Sequence, residues 1–275
     1  FDEDLVKMKD IESCIKVYLA DNKQGRGLLD KIYEFLEELK EDNLSIDLGS
    51  LRVGTRVLKD QDWANNWKQY FKPFLVSDKI VIKPSWEDYK GSADGKIILE
   101  IDPGMSFGTG QHQTTRLCIE QINKHIHKDM EVLDMGCGSG ILSIAALLLG
   151  AKKCVGVDID ENAVRIAKEN AGLNNIKQDK FTVHCGDVTG DNALQEKIGY
   201  KGFDMIAVNI IAQIIIGMSH TFTKFLKKGG LVIASGIITK YMQDVIENFE
   251  ALGFKIIEIS QSEEWVAITA KLGDK

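Results

Sequence analysis

Short apolar runs alternate with longer amphipathic stretches through the second half of the chain. A short apolar run bounded by turn residues predicts a strand, and apolar positions repeating every three to four residues predict a helix. Strict alternation of the two is typical of a parallel sheet covered by helices on both faces. The predicted strands are Glu131–Met135, Cys154–Asp158, Phe181–Cys185, Phe203–Asn209 and Leu231–Ala234, and the predicted helices are Ile141–Leu149, Glu161–Asn174, Ile214–Leu226 and Tyr241–Leu252.

A hairpin is predicted at the end of the chain and a smaller α/β unit at its start. Lys255–Ile259 and Trp265–Ala270 predict antiparallel strands around a turn. Near the start, strands at Cys14–Ala20 and Leu51–Leu58 flank a helix at Gly27–Lys40, which suggests half of a ferredoxin-like domain. This unit has no reactive cluster of residues, so a packing or substrate-presenting module is the favoured interpretation.

An aromatic stretch, Trp63–Phe74, separates the two regions. Its aromatic residues fall on one face of a helix, which predicts a connecting helix packed on the larger domain; the alternative is a wall near a substrate entrance. Val76–Ile82 and Ile97–Ile101 predict two further strands. The predicted organisation is a small α/β domain over residues 1–60, a linker over 61–86 and a larger α/β domain over 87–275.

A glycine-rich turn joins the first strand and helix of the larger domain. Gly136, Gly138 and Gly140 let a ligand approach backbone N–H groups at a helix N-terminus. A dinucleotide-binding turn has the spacing G-x-G-x-x-G, but here the third glycine comes one residue early and Asp134 precedes the first by two. This D-x-G-x-G-x-G form resembles motif I of the Rossmann-like S-adenosyl-L-methionine (SAM) methyltransferases, although an ordinary glycine turn remains the alternative.

Polar residues end or follow the neighbouring predicted strands. Asp158 lies 22 residues after Gly136, a spacing at which an acid accepts hydrogen bonds from ribose hydroxyls. Asn209 ends a later strand, and Asp187 follows another. The resemblance to the SAM methyltransferases implies that Asp187 faces the adenine amino group, and a simple turn residue is the alternative. Because the carboxyl ends of parallel strands meet at one edge, these residues are expected to share a cleft.

Residues 102–115, D-P-G-M-S-F-G-T-G-Q-H-Q-T-T, form the second informative segment. Its glycines, proline and hydroxyls predict a loop that leads into a helix capped by Thr109 or Thr114. His112 is a candidate general base, although an isolated histidine more often has a structural or capping role.

Composition and charge exclude several classes of protein. The net charge of −7 argues against non-specific nucleic-acid binding and is compatible with a basic protein substrate. The five scattered cysteines include no C-x-x-C pair, which favours reduced thiols in a cytosolic protein and no metal site. No apolar run has the length of a membrane span. The chain begins with Phe1 instead of methionine, which is compatible with a trimmed N-terminus or an unseen leader.

Together the motifs resemble the PrmA-type ribosomal protein methyltransferases, which methylate the large-subunit protein L11. The resemblance runs from about Trp63 to the C-terminus and departs at Gln113, where proline is common, and at Ile211, where leucine is common. It implies a seven-stranded Rossmann-like domain, preceded by a region that looks truncated against the family's substrate-recognition domain. The matching segments are Trp63–Phe74, 102–115, Asp134–Gly140, Val157–Asp160, Val208–Ala212 and Glu263–Trp265.

The resemblance also implies roles for particular residues. The resemblance makes Asn209 a cofactor contact, and we further expect it to be catalytic, either by accepting a hydrogen bond from the incoming amine or by holding the methionine part of SAM. No strong general base stands out, so water is expected to take the proton. The expected cofactor contacts are Phe107, Gly108, Thr109, Thr115, Asp134, Gly136, Gly138, Gly140, Asp158, Ile159, Asp187 and Asn209.

The expected protein is a cytoplasmic, monomeric enzyme that methylates lysine side chains and the N-terminal α-amine of L11, without nucleic acid or a membrane. Two alternatives stay open: a SAM methyltransferase of another protein or small molecule, and a non-catalytic SAM-binding module. A nucleic-acid methyltransferase is disfavoured by the acidic charge and by Asn209-Ile-Ile, where an amino-base enzyme would carry Asn-Pro-Pro-aromatic.

Overall fold

A computed structural model describes most of the chain, which divides into two compact units, residues 1–66 and 67–275. No helix in the described parts of either unit is long and apolar enough to cross a membrane. The described residues are 17, 19, 23–41, 50–55, 71–92, 95–102, 104 and 108–273.

In the first unit the described helix is α1, Lys23–Glu41, which contains the predicted helix Gly27–Lys40 and starts four residues earlier. The predicted strand Leu51–Leu58 is wrong over residues 51–55, which have no regular structure, and its remainder lies outside the described residues. Only residues 17 and 19 of the predicted strand Cys14–Ala20 are described, and neither is in a strand.

The second unit contains ten strands and seven α-helices among its described residues. In chain order they are β1 Phe74–Leu75, β2 Ile80–Pro84, β3 Ile97–Ile101, α2 Gln113–His125, β4 Glu131–Met135, α3 Ile141–Leu148, β5 Lys153–Asp158, α4 Glu161–Leu173, β6 Phe181–Cys185, α5 Asn192–Ile198, β7 Phe203–Asn209, α6 Ala212–Met218, α7 Phe222–Phe225, β8 Leu226–Ile238, α8 Met242–Ala251, β9 Phe254–Ser262 and β10 Trp265–Leu272.

A seven-stranded sheet forms the centre of this unit, with the order β6–β5–β4–β7–β8–β10–β9. The first five strands in that order are parallel, and β10 is antiparallel to both of its neighbours. The chain moves outward from β4 to β6 and then returns to β7, so the strand order reverses between β4 and β7. This topology confirms the predicted Rossmann-like sheet and its C-terminal hairpin.

The two faces of the sheet support separate hydrophobic cores. Along β4, Val132 packs into one core and Leu133 into the other. Both side chains are fully buried, as expected of a parallel strand that is covered by helices on both sides. The central strands are therefore fixed by burial, and their parallel pairing brings their carboxyl ends to the same edge of the sheet.

Two predicted elements differ from the structure because local hydrogen bonds intervene. The predicted helix Ile214–Leu226 is interrupted after Met218 by a 3-10 turn, Ser219–Thr221. The Ser219 and Thr221 hydroxyls in this turn donate to carbonyls three residues earlier, at 2.8 Å each. Strand β8 is far longer than predicted because it pairs with both β7 and β10.

The predicted helix Trp63–Phe74 is wrong at its described end, and residues 63–70 lie outside the described residues. Phe71 to Pro73 are not helical and Phe74 begins β1, because proline disfavours a helical conformation at the residue before it. Phe71 packs instead against the rings of Phe74 and Trp86, at centroid distances of 6.2 and 5.9 Å. Strands β1 to β3 form a separate three-stranded sheet.

Candidate cofactor and acceptor site

A cavity of about 680 Å³ opens at the carboxyl ends of the parallel strands, where the strand order reverses. Its volume is typical of a small-molecule site. The last residues of β5 and β7 contribute to its wall, together with the loops that follow β4, β5, β6 and β7. The predicted site residues that line it are Gly108, Thr115, Gly136, Gly138, Asp158, Ile159, Asp187 and Asn209.

The glycine turn lines the cavity with backbone, as its spacing predicts. Gly136, Gly138 and Gly140 all have positive φ, at 74°, 52° and 80°. A Cβ on Gly136 would lie 2.9 Å from the Ile210 side chain, so a larger residue would be strained there. Gly140 is the N-cap of α3 and does not line the cavity.

Asp158 joins the glycine turn to the end of β5. Its carboxylate accepts hydrogen bonds from the backbone N–H groups of Gly138, at 2.8 Å, and Asp160, at 3.0 Å. A carboxylate has about four acceptor positions, so two remain for the hydroxyls of a ribose. Asp158 therefore orders the turn and remains able to accept hydrogen bonds from a ligand.

Asp187 forms a turn, which is one of the two roles that the sequence left open, and it also lies at the cavity. It lines the cavity after β6, and it also forms a local turn by accepting hydrogen bonds from the Thr189 hydroxyl, at 2.6 Å, and backbone N–H, at 2.8 Å. These bonds, led by the one from the hydroxyl, lower the pKa of Asp187. Its carboxylate is thus held as an ionised acceptor at the rim.

Asn209 ends β7 on the opposite side of the cavity. Its Nδ2 donates to the hydroxyl of the buried Thr115 at 3.3 Å. Its Oδ1 is also buried and has no hydrogen-bond partner within the protein. Leaving a buried acceptor unpaired is costly, so this oxygen is suited to receive an N–H group from a bound molecule.

His112 is a helix cap, which corrects the predicted cap at Thr109 or Thr114. Its Nδ1 accepts a hydrogen bond from the Thr114 backbone N–H at 3.3 Å. The ring also packs edge-on against Trp265, with centroids 4.8 Å apart. A neutral ring with an accepting Nδ1 carries its proton on Nε2, which favours the structural role over a general base.

Asp134 and Thr109 are the other described site residues from the prediction that do not line the cavity. Asp134 is fully buried behind the turn, where its Oδ2 accepts from the Ser143 hydroxyl at 2.8 Å and backbone N–H at 3.1 Å. Burial raises its pKa to about 7. Thr109 accepts a bond from the Gln111 N–H at 3.2 Å, and Phe107 lies outside the described residues.

Several lining residues were not predicted as site residues. Gly236 lies within β8, directly after its buried centre, and has a φ of 83°. A Cβ there would lie 2.3 Å from the Ile210 carbonyl oxygen. In the sequence, the Ser-Gly pair that follows the predicted strand Leu231–Ala234 is the feature that could have indicated Gly236. Ile211, Ile214 and Trp265 also line the cavity, but their apolar character does not distinguish them from core residues in a sequence.

The family model for ribosomal protein L11 methyltransferase (PrmA) matches residues 2–273. The chain belongs to this family. The match includes the region before Trp63, which the motifs alone did not reach.

Relatives and a solved structure agree with the family match. The ribosomal protein L11 methyltransferase of Agathobacter rectalis is 43% identical over 263 residues, covering 94% of this chain and 80% of the relative. That of Lachnoclostridium phytofermentans is 40% identical over 276 residues, covering 96% and 82%. The crystal structure of ribosomal protein L11 methylase from Lactobacillus delbrueckii subsp. bulgaricus has a TM-score of 0.67 and 31% identity, covering 74% of this chain and 99% of that one.

As a member of the PrmA family, the chain is a protein methyltransferase that uses SAM. The cavity fits this ligand in two respects: its glycine turn exposes backbone at a helix start, and its charged lining residues are confined to one side. Among the lining residues described, the carboxylates are Asp158, Asp160 and Asp187. We call their side, with Gly136 and Gly138, the acidic half.

The other side of the cavity carries no carboxylate, lysine or arginine among its described lining residues. It is formed by the ends of β7 and β8, the starts of β10 and α2, and α6 with its N-cap. We call it the uncharged half, and its main members are Thr115, Asn209, Ile211, Ile214 and Trp265.

Proposed function

We propose that this chain transfers methyl groups from SAM to amines of ribosomal protein L11, both lysine side chains and the N-terminal α-amine. The match of the PrmA family model across residues 2–273 carries the proposal. A Rossmann-like cavity alone would suit many acceptors. The names of relatives at 43% and 40% identity support L11 as the substrate.

SAM supplies a methyl group on a positively charged sulfur, and the protein must present a neutral amine in line with it. A lysine amine is mostly protonated near neutral pH. The unpaired Oδ1 of Asn209 is suited to accept an N–H of the incoming amine, which would direct the nitrogen lone pair toward the methyl group. Holding the methionine part of SAM is the alternative role for Asn209.

The uncharged half suits a neutral amine. A carboxylate beside the acceptor would stabilise the ammonium form and raise the pKa of the amine. The exposed side chains of Ile211 and Ile214 instead offer apolar surface to the methylene stem of a lysine. With no general base assigned, water takes the proton that the ammonium form loses before the attack, and methyl transfer to the neutral amine then leaves a methylammonium.

The acidic half suits the nucleoside end of SAM. Asp158 retains acceptor capacity for ribose hydroxyls beside the backbone of Gly136 and Gly138. Asp187 lies at the end of the next strand, at a place suited to the adenine amino group. Thr115 supports the opposite side through its hydrogen bond with Asn209.

Residues 1–60 are proposed to form a substrate-recognition domain, followed by a linker over 61–86 and the methyltransferase domain over 87–275. We also expect a monomeric, cytoplasmic enzyme that needs neither nucleic acid nor a membrane. The net charge of −7 supports a basic protein partner.

The test is incubation of the protein with methyl-labelled SAM and ribosomal proteins from cells that lack this activity, followed by resolution of the products by mass. Label on L11, at lysines or the N-terminal amine, is expected. Ribosomal proteins from cells with the activity are the matched control, since their acceptor amines are already methylated and should take up little label.

Label on another protein would retain the methyltransferase and reject L11 as the substrate. Bound SAM with no label on any ribosomal protein would reject the proposal and favour a small-molecule acceptor or a binding module.

A further inference from the structure

Asparagine side chains of α4 cover one edge of β3. The other edge pairs with β2, where the Ile97 N–H and the Ile101 carbonyl form its end hydrogen bonds. On the edge toward α4, the Glu100 N–H donates to Asn174 Oδ1 at 2.9 Å, and Asn174 Nδ2 donates to the Glu100 carbonyl at 2.7 Å. The amide of Asn174 thus satisfies backbone groups that a neighbouring strand would otherwise satisfy.

One helical turn earlier, Asn170 links the end of this strand to the glycine turn. The Asp102 N–H donates to Asn170 Oδ1 at 2.8 Å, and Asn170 Nδ2 donates to the Ser139 carbonyl at 2.9 Å. Asn170 is 1% exposed. Its amide therefore bridges two backbone segments within the protein interior, where an unmade hydrogen bond is costly.

Ser139 forms the next bond of this network. Its hydroxyl donates to the Gly108 carbonyl at 2.8 Å, and its side chain is fully buried. Gly108 has a φ of 108°, and a Cβ there would lie 2.4 Å from Ser139 Oγ. The Ser139 hydroxyl approaches the Gly108 backbone so closely that only glycine fits opposite it.

Neither Ser139 nor Asn170 lines the cavity, yet each bonds to backbone that leads to its wall. Gly108 lines it directly, and Ser139 lies in the glycine turn between the lining residue Gly138 and the start of α3. Loss of either side chain would free this backbone without removing any group that touches the ligand.

We propose that Ser139 and Asn170 are positioning residues of the SAM site, which hold Gly108 and Asp102 against the glycine turn. The inference deepens the proposed function and rests on it only for the methyl acceptor used in turnover assays. SAM affinity tests it separately from the identity of that acceptor.

The test compares Ser139→Ala and Asn170→Ala with Asn174→Ala in the full chain. Asn174→Ala is the matched control because it removes the same amide from the C-cap of the same helix, but from a residue that bonds to β3 and not to the glycine turn. The readouts are the Kd for SAM by calorimetry, the KM for SAM and kcat with L11, and the thermal midpoint.

Each of the two positioning variants is expected to raise the Kd and KM for SAM about five- to tenfold, the size of one lost hydrogen bond. At saturating SAM, kcat should change by less than about threefold, because the groups that contact the amine are intact. Asn174→Ala should lower the thermal midpoint to a similar extent and keep the Kd within about twofold of the wild type.

A wild-type Kd in Ser139→Ala would overturn the inference, and so would an equal loss of affinity in Asn174→Ala, since the effect would then be one of general stability. If Asn170→Ala does not fold, Ser139→Ala decides, because it removes only one hydroxyl. A raised Kd for SAM without label on L11 would support the positioning role while rejecting the proposed acceptor.

Discussion

The two halves of the cavity are lined by different kinds of groups. The acidic half is largely backbone, with Asp158 ordering the glycine turn through the Gly138 N–H. The uncharged half is largely side chain, and its one buried polar atom without a partner is Asn209 Oδ1 among the lining residues described. Backbone and carboxylates suit the binding of a polar nucleoside, whereas an apolar wall with a single acceptor suits the orientation of a neutral amine.

This difference separates binding from chemistry within one cavity. Changes in the acidic half should act mainly on the affinity for SAM, and changes in the uncharged half should act mainly on turnover. A result in which the two halves respond alike would contradict the division.

Asn209→Ala should give the largest effect. Removal of the amide leaves nothing to orient the amine lone pair, and loss of one preorganised hydrogen-bonding group at a reacting centre costs about 10²–10³ in kcat. Steady-state kinetics with L11 and calorimetry with SAM measure the two quantities separately.

A fall in kcat with little change in SAM affinity would assign Asn209 to the amine. A large fall in SAM affinity would assign it to the methionine part of the cofactor. Full turnover with unchanged affinity would show that neither role is correct. Thr115→Val, which removes only the hydroxyl that Asn209 contacts, should produce a smaller loss of the same kind.

Asp134→Asn should change the pH dependence of stability. Burial, with a smaller contribution from Asp158, raises the pKa of Asp134 from 3.8 to about 7. Between these values the folded protein keeps a proton that the unfolded chain has released, so the stability contributed is full below pH 3.8 and is lost as the pH rises through about 7. The loss is on the order of a few kcal/mol.

In the asparagine variant the free energy of unfolding, measured in urea from pH 4 to pH 8, should therefore fall less steeply with pH. Asp244→Asn, at an exposed position of α8, is the control and should leave the slope unchanged. Equal slopes in Asp134→Asn and the wild type would show that this carboxyl does not titrate between the folded and unfolded states as its burial implies.

The acidic half could be predicted from the sequence because it follows strand and glycine spacing. Strands β4, β6 and β7 have the predicted bounds, and Gly136, Asp158 and Asp187 line the cavity as expected. Burial on both faces makes such strands continuous apolar runs, and their order along the chain fixes the edge at which they end.

The uncharged half was harder to predict because it depends on distant contacts. Trp265 reaches the cavity through the pairing of β10 with β8, and there it packs against the ring of His112 from the start of α2. Asp134 was expected to contact the cofactor because it belongs to the motif, but its carboxylate points to Ser143 behind the turn. The sequence spacing identifies the glycine turn, but it does not show whether a side chain of the motif faces the cavity or the protein interior.

Asp158→Asn should weaken SAM binding by about tenfold, because the charged acceptor of ribose hydroxyls is lost and one of the two oxygens that accept backbone N–H groups of the turn becomes a donor. The kcat at saturating SAM should change far less. Asp160→Asn is the matched control, because Asp160 also lines the acidic half but uses its carboxylate to cap α4, accepting from the Asn162 N–H at 2.9 Å. Calorimetry on both variants measures the Kd for SAM. Equal losses of affinity would mean that the negative charge of the acidic half matters and that the position of Asp158 does not.

Ile214→Glu should give the smallest effect, and the direction in which it shifts the pH profile of kcat/KM tests the role of the uncharged half. Ile214 is 53% exposed, so a charged residue can be accommodated there without being buried. A carboxylate on the uncharged half should stabilise the ammonium form of the acceptor and shift the pH profile of kcat/KM upward by about half a unit, since an exposed charge is strongly screened. Ile214→Lys should shift it downward by a similar amount, and Ile214→Gln, which adds polarity without charge, should leave it in place. Shifts of the same sign for glutamate and lysine would show that the wall acts through shape, and the absence of charge from this half would then have no bearing on the protonation of the amine.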